Sequence, residues 1–170
     1  MARLNILQFP DARLRTVAEP VTYVDDAVRD VVLDMSETMY GACGIGLAAT
    51  QVNVHRQIIT ADVSDGGNQL HVLINPVVVD QGGSAALGEG CLSIPDIFAK
   101  VNRAAWVTVR ALDIDGKSRE LSADGLLAMC IQHEMDHLQG TLFIDYLPDR
   151  VRRRLNGVNE VGSGTRKRRR

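Results

Sequence analysis

Apolar residues first fall into a helical rhythm at Val28, Val31, Val32, Met35 and Met39, three or four apart and therefore on one face of a 3.6-residue helix. The acidic pair Asp25-Asp26 precedes them and suits the positive end of a helix, so the spacing predicts an amphipathic helix from there to about Tyr40. The pattern then changes. β-Branched residues crowd Ile58 to Val63, Val72 to Asn75, Val77 to Val79 and Trp106 to Leu112, which predicts strands. Asp115-Gly116 reads as a hairpin turn leading into Ser118 to Leu121. A second helical stripe follows, with Leu126, Met129, Cys130, His133 and His137 at i, i+3, i+4, i+7 and i+11. Leu127, Ile131 and Leu138 form an adjoining apolar set that reads as core, Ser122 or Asp124 can cap the start, and Gly140 can end it. A helix, a group of strands and a second helix make the fold class α+β.

The second stripe runs from apolar residues into chemistry. Gln132-His133-Glu134-Met135-Asp136-His137 contains H-E-x-x-H, in which two histidines one turn apart can grip one ion while Glu134 lies alongside. That arrangement serves metal-assisted hydrolysis. A catalytic ion usually takes three protein ligands and keeps one position open, so a further ligand is required. After Gly140 there is no histidine, and Glu160 sits in a polar tail. Upstream, Glu89-Gly90-Cys91-Leu92-Ser93 places a cysteine among small and polar residues, which makes Cys91 the candidate. On the residues alone, Cys91 reads equally well as an inert buried thiol, Gly44 and Gly46 as loop glycines, and Gln51 as a polar surface residue. Cys130 reads as pocket wall rather than ligand, and His55 and His71 as structural or exposed.

Three segments in order, Gly44-Ile45-Gly46-Leu47-Ala48-Ala49-Thr50-Gln51, then Glu89-Gly90-Cys91-Leu92-Ser93, then Gln132 to Leu138, resemble the three motifs of the peptide deformylase family. Pro10 to Arg15 and Leu142 to Leu147 extend the resemblance, which leaves about the last twenty residues outside it. It implies antiparallel sheets packed around a central helix carrying H-E-x-x-H, with an N-terminal and a C-terminal helix. It also implies that Cys91, His133 and His137 bind one divalent metal with water as fourth ligand, ferrous iron natively, with zinc, nickel or cobalt as substitutes in isolated protein. Glu134 would take a proton from that water, and Gln51 with the backbone N–H of Leu92 would stabilise the oxyanion. Ile45, Leu87, Leu126, Met129 and Cys130 would line a methionine pocket, and backbone at Gly46 and Gly90 would pair with an extended peptide. The implied reaction removes the N-formyl group from the first methionine of nascent polypeptides and releases formate. Asn102-Arg103 stands where many relatives have Pro-Arg, and Phe98 where the residue is often basic. The competing reading is a zincin-like metallopeptidase, which should show its third ligand downstream of H-E-x-x-H.

Composition narrows the class. A chain of 170 residues with 45% hydrophobic content holds one domain with a real core. Three cysteines, Cys43, Cys91 and Cys130, form no disulfide pattern, and no apolar run approaches a membrane span, so the expected location is cytoplasmic. Charge is uneven. Residues 149–170 hold nine basic and two acidic side chains, a net of +7, which leaves −9 for residues 1–148 out of the overall −2. Residues 1–148 therefore read as a single catalytic domain, and 149–170 as a basic helix end and flexible tail. Ribosomal RNA would suit such a tail, and a merely solvated tail suits it equally.

Overall fold

The computed structural model describes residues 3–153. Asp25 accepts a hydrogen bond from the Val28 N–H (2.9 Å) and so caps α1, which runs over Asp26–Gly41. Seven strands follow, β1 (Gly46–Ala48), β2 (Ile58–Ala61), β3 (His71–Gly82), β4 (Ala85–Cys91), β5 (Ile94–Arg103), β6 (Trp106–Leu112) and β7 (Ser118–Asp124), before α2 (Gly125–Leu138). Five strands form an antiparallel sheet in the order β1-β2-β3-β6-β7, and β4 pairs with β5 in a separate two-stranded ribbon. The α+β class and the antiparallel sheets are as expected.

Successive side chains of a strand point to opposite faces, and β1 and β2 use both. Leu47 and Ile58 pack with Val32, Met35 and Met39 of α1. Ala48 and Ile59 pack with Ala128, Ile131 and Leu138 of α2. The two helices thus cover opposite faces of the same strands, which explains why β1 and β2 are buried throughout. A third apolar cluster, including Ile94, Val101, Leu142 and Phe143, fills the space under the ribbon.

Two differences from the expected elements have local causes. The strands expected at Val72 to Asn75 and Val77 to Val79 are one strand, β3, with a register shift between Ile74 and Val77 where Asn75 turns to φ 53°. The Asn75 side chain there accepts from the Val21 N–H (2.8 Å) and donates to the Val21 carbonyl (2.7 Å), standing in for a neighbouring strand. β4 and β5 escaped prediction because β4 is built from small residues and β5 carries Pro95, Asp96 and Lys100. At the other end, residues 149–153 are helical and begin the expected C-terminal helix. Residues 154–170, on which the remainder of the expected helix end and the tail fall, lie outside the described residues.

Candidate metal centre

α2 carries His133, Glu134 and His137 into the protein, with 5%, 4% and 1% of their surfaces exposed. Cys91 ends β4 immediately before the two-residue turn Leu92-Ser93, and the pair Cys91↔Ile94 closes that hairpin. The turn delivers the thiol to α2. Cys91 Sγ stands 3.2 Å from His137 Nε2, and the ligand atoms of Cys91, His133 and His137 all lie within 4.8 Å of one another. A tetrahedral ion with bonds of roughly 2.0 Å to nitrogen and 2.3 Å to sulfur would separate such donors by about 3.5 Å, so the three fit one ion.

The outer shell is charged and buried. His133 Nδ1 is 2.9 Å from Glu89 Oε2, which leaves Nε2 to face Cys91 and His137. Arg103 grips the same carboxylate through Nε and through Nη2 (2.9 Å), and its Nη1 donates to Asp136 Oδ2 (2.9 Å). The side chains of Glu89 and Arg103 are 0% and 7% exposed. Burial opposes ionisation of Glu89, yet hydrogen bonds from His133 and Arg103 prevail and hold its carboxyl below the usual range. Burial likewise disfavours a charged His133, but hydrogen bonds to Cys91 and Glu89 outweigh it and raise the imidazole to about 10. An ion held by this imidazole would take the place of that proton. Burial, reinforced by the positive charges of His133 and Arg103, holds His137 well below its ordinary value and keeps it neutral for ligation.

Glu134 differs from Glu89. Burial pushes its carboxyl up to about 7, against the pull of His133 and Arg103. Its Oε2 is buried without a protein hydrogen-bond partner. A Cβ on Gly46 would come within 2.6 Å of both Glu134 Oε1 and Cys130 Sγ, so β1 can lie this close only as glycine. Gln51 is 1% exposed and held from both ends. Its Oε1 accepts from the Ala48 N–H (2.8 Å), and Nε2 donates to Ser93 Oγ (3.1 Å) and makes a long contact with Cys91 Sγ (3.6 Å).

A groove of about 450 Å³ opens above these residues. Of the residues expected to meet a substrate, Ile45, Gly46, Gly90, Leu92, Leu126, Met129 and Cys130 line it together with Cys91, His133 and Glu134. Leu87 is not among the lining residues; its neighbour Gly88 takes that place. Sequence reasoning left out Arg103, Asp136, Ser93 and the role of Glu89. The available signal was that a charged residue inside a buried motif needs a partner, and Glu89, Arg103 and Asp136 are acid, base and acid.

The family model for polypeptide deformylase matches residues 3–153. The peptide deformylase of Pseudoalteromonas translucida is 56% identical over 155 residues, covering 91% of this chain and 93% of its own. That of Chromohalobacter salexigens is 61% identical over 148 residues, covering 86% and 87%. Among solved structures, peptide deformylase from Ehrlichia chaffeensis in complex with actinonin superposes with TM-score 0.91 at 38% identity, over 97% of this chain and 100% of that one. The Legionella pneumophila peptide deformylase gives TM-score 0.86 at 40% identity, over 96% and 99%.

Proposed function

Because the chain belongs to the peptide deformylase family, we propose that Cys91, His133 and His137 hold its metal ion and that Glu134, Gln51 and the Leu92 N–H act around it. The protein is a metal-dependent hydrolase that removes the formyl group from the N-terminal methionine of nascent peptides and releases formate. Held by Cys91, His133 and His137, the ion would supply Lewis acidity to the formyl oxygen and the attacking water. Glu134 takes the proton of that water at its unpartnered Oε2 and passes it to the amine nitrogen as the C–N bond breaks. Burial raises this carboxyl to about 7 against the pull of His133 and Arg103, which leaves it able to accept and return a proton near neutrality. Gln51 Nε2 and the Leu92 N–H donate to the formyl oxygen as it gains negative charge, Gln51 giving up its long contact with Cys91. Arg103 and Glu89 fix the His133 ring so that Nε2 stays aimed at the ion.

β1 is an edge strand, paired with β2, and its Gly46 lines the groove; an extended peptide adds along it with the methionine side chain over Met129 and Cys130. The observation that carries this reading is the convergence of Cys91 with His133 and His137 beside a buried Glu134. A zincin-like peptidase would instead draw its third ligand from beyond α2. A thiolate with two imidazoles suits iron, zinc, nickel or cobalt alike, so ferrous iron as native ion rests on the family. Anaerobic purification followed by metal analysis and a formate-release assay on one sample tests ion and reaction together. Formyl-methionyl peptides left intact by metal-loaded enzyme would overturn the function. We also assign the basic segment 149–170 to ribosomal RNA and the protein to the cytoplasm. No described helix is long and apolar enough to cross a membrane. A chain ending at residue 153 should keep its peptide activity and lose co-sedimentation with ribosomes; retained co-sedimentation would reject the assignment.

A further inference from the structure

Above the metal centre the groove is nearly free of charge. Apart from His133 and Glu134, only Asp96 among its lining residues carries a formal charge. Three of the exposed large apolar side chains meet there, Phe98 at 81%, Leu126 at 45% and Ile45 at 39%. Such residues scattered singly need no explanation, whereas three around one groove mark a binding surface. Phe98 is the most exposed large apolar side chain among the described residues, yet its ring has a definite seat. A Cβ on Gly90 would fall 2.6 Å from Phe98 Cε1 and 3.0 Å from Cδ1, so the ring lies across the Gly90 backbone. Along β5, Ile97 and Ala99 are half-buried against the apolar cluster beneath the ribbon, Ile97 also reaching the groove wall, whereas Phe98 between them stands exposed at the groove.

An extended peptide with its methionine at the floor, against Met129 (7% exposed) and Cys130 (2%), must point its next side chain the other way, toward the open mouth where Phe98 stands. We propose that Phe98 is a specificity-determining residue that favours formylated peptides whose second residue is aromatic or large and aliphatic over those whose second residue is small or acidic. The proposal rests on the deformylase reading of the site. An apolar second side chain covers the Phe98 ring and gains ring contact, whereas an acidic one would lose water against this rim and meet Asp96 as a like charge.

The test is kcat/KM of the metal-loaded enzyme for formyl-Met-Xaa-Ser with Xaa Phe, Leu, Ala or Glu, and for formyl-Met-Ala-Phe, in wild type, Phe98→Ala and Phe98→Leu. In wild type, Phe at the second position should exceed Ala by roughly 5- to 20-fold, expressed in KM, and the ratio should fall to within about 2-fold in Phe98→Ala. Phe98→Leu should restore part of it. A Phe/Ala ratio unchanged by Phe98→Ala, or a preference that follows the aromatic residue to the third position, overturns the proposal. Equal formate release from every peptide in wild type sinks this proposal alone; release from none sinks the deformylase reading as well.

Discussion

The two long helices cover opposite faces of the same two strands, and only α2 buries ionisable residues among its apolar ones. α1 buries Val32, Met35 and Met39 and leaves Asp26 and Asp30 exposed. α2 buries Ala128, Ile131 and Leu138 on one side and His133, Glu134 and His137 on another. Folding alone accounts for α1, because each buried apolar side chain contributes roughly 1.5 to 3 kcal/mol and the buried Ser36 and Thr38 hydroxyls donate to the Val32 and Asp34 carbonyls. It accounts for only half of α2, since a buried carboxyl and two buried imidazoles oppose folding unless they are paired or ligate an ion. Substitutions in α1 should therefore be read in stability, and those around the polar side of α2 in metal content and turnover.

The largest separation should come from the ligands. Alanine at Cys91, His133 or His137 should remove the ion and with it formate release, while apolar packing of α2 holds the fold. Metal per chain and circular dichroism measured on each variant decide it. Full occupancy and activity in Cys91→Ala would show that the third ligand is another residue.

Glu134 sharpens the contrast, because its role needs the ion but does not hold it. Glu134→Ala should keep the metal and lose on the order of 10² to 10⁴ in turnover, the usual range for a proton-transfer group. Its stability effect has a defined sign. A carboxyl raised from 4.5 to about 7 in the folded state contributes stability that is fully present below pH 4.5 and lost as pH rises through 7. Chelated wild type should thus lose on the order of 3 kcal/mol from this group across that window, and Glu134→Gln should show a flatter profile. Urea unfolding at several pH values measures it, and equal slopes for the two proteins would contradict the assignment.

Arg103 lies on β5, yet it belongs energetically to α2. Arg103→Met would leave buried Glu89 with His133 as its remaining partner and without the guanidinium charge, at a cost of about 3 to 5 kcal/mol. Because Glu89 aims His133, metal affinity should also fall by about 10- to 100-fold. Competitive chelation and thermal melting check the two effects separately. A loss of stability without any loss of affinity would make Arg103 a packing residue only.

What could be read from the sequence divides along the same line. α1 was legible because cap, period and core agree, and β6 was legible because its β-branched residues alternate in burial, with Val107, Val109 and Ala111 turned inward. The helical half of the metal site was legible too, since spacing alone puts His133 and His137 together. Cys91 needed elimination and a family likeness, because sequence distance hides which strand end meets α2. The ribbon carrying it was missed: Gly88 and Gly90 serve the groove rather than strand propensity. Gln51 looked like a surface residue, and only the fold buries it between Ala48 and Ser93. The pairing of Glu89 with Arg103 joins residues brought together by β4 and β5, so it could not be seen before those strands were known.

The smallest expected effect lies at the start of α1, far from any chemistry. Asp25 accepts from the Val28 N–H at 2.9 Å, satisfying one of the helix's unpaired donors, and its negative charge sits at the positive end of the helix dipole. Asp25→Ala should cost about 0.5 to 2 kcal/mol. For a chain of this size each kcal/mol lowers Tm by roughly 2 to 4 °C. Metal content and kcat/KM should stay at wild-type values, because α1 approaches the site only at its far end, where the Met39 carbonyl accepts from the Gly44 N–H and the same apolar cluster takes in Leu92. A variant that melts earlier with full activity confirms that the helices divide stability from chemistry. A variant that loses metal or turnover along with the cap would show that the two faces of β1 and β2 are coupled, and that α1 helps to hold the Gly46 edge against Glu134.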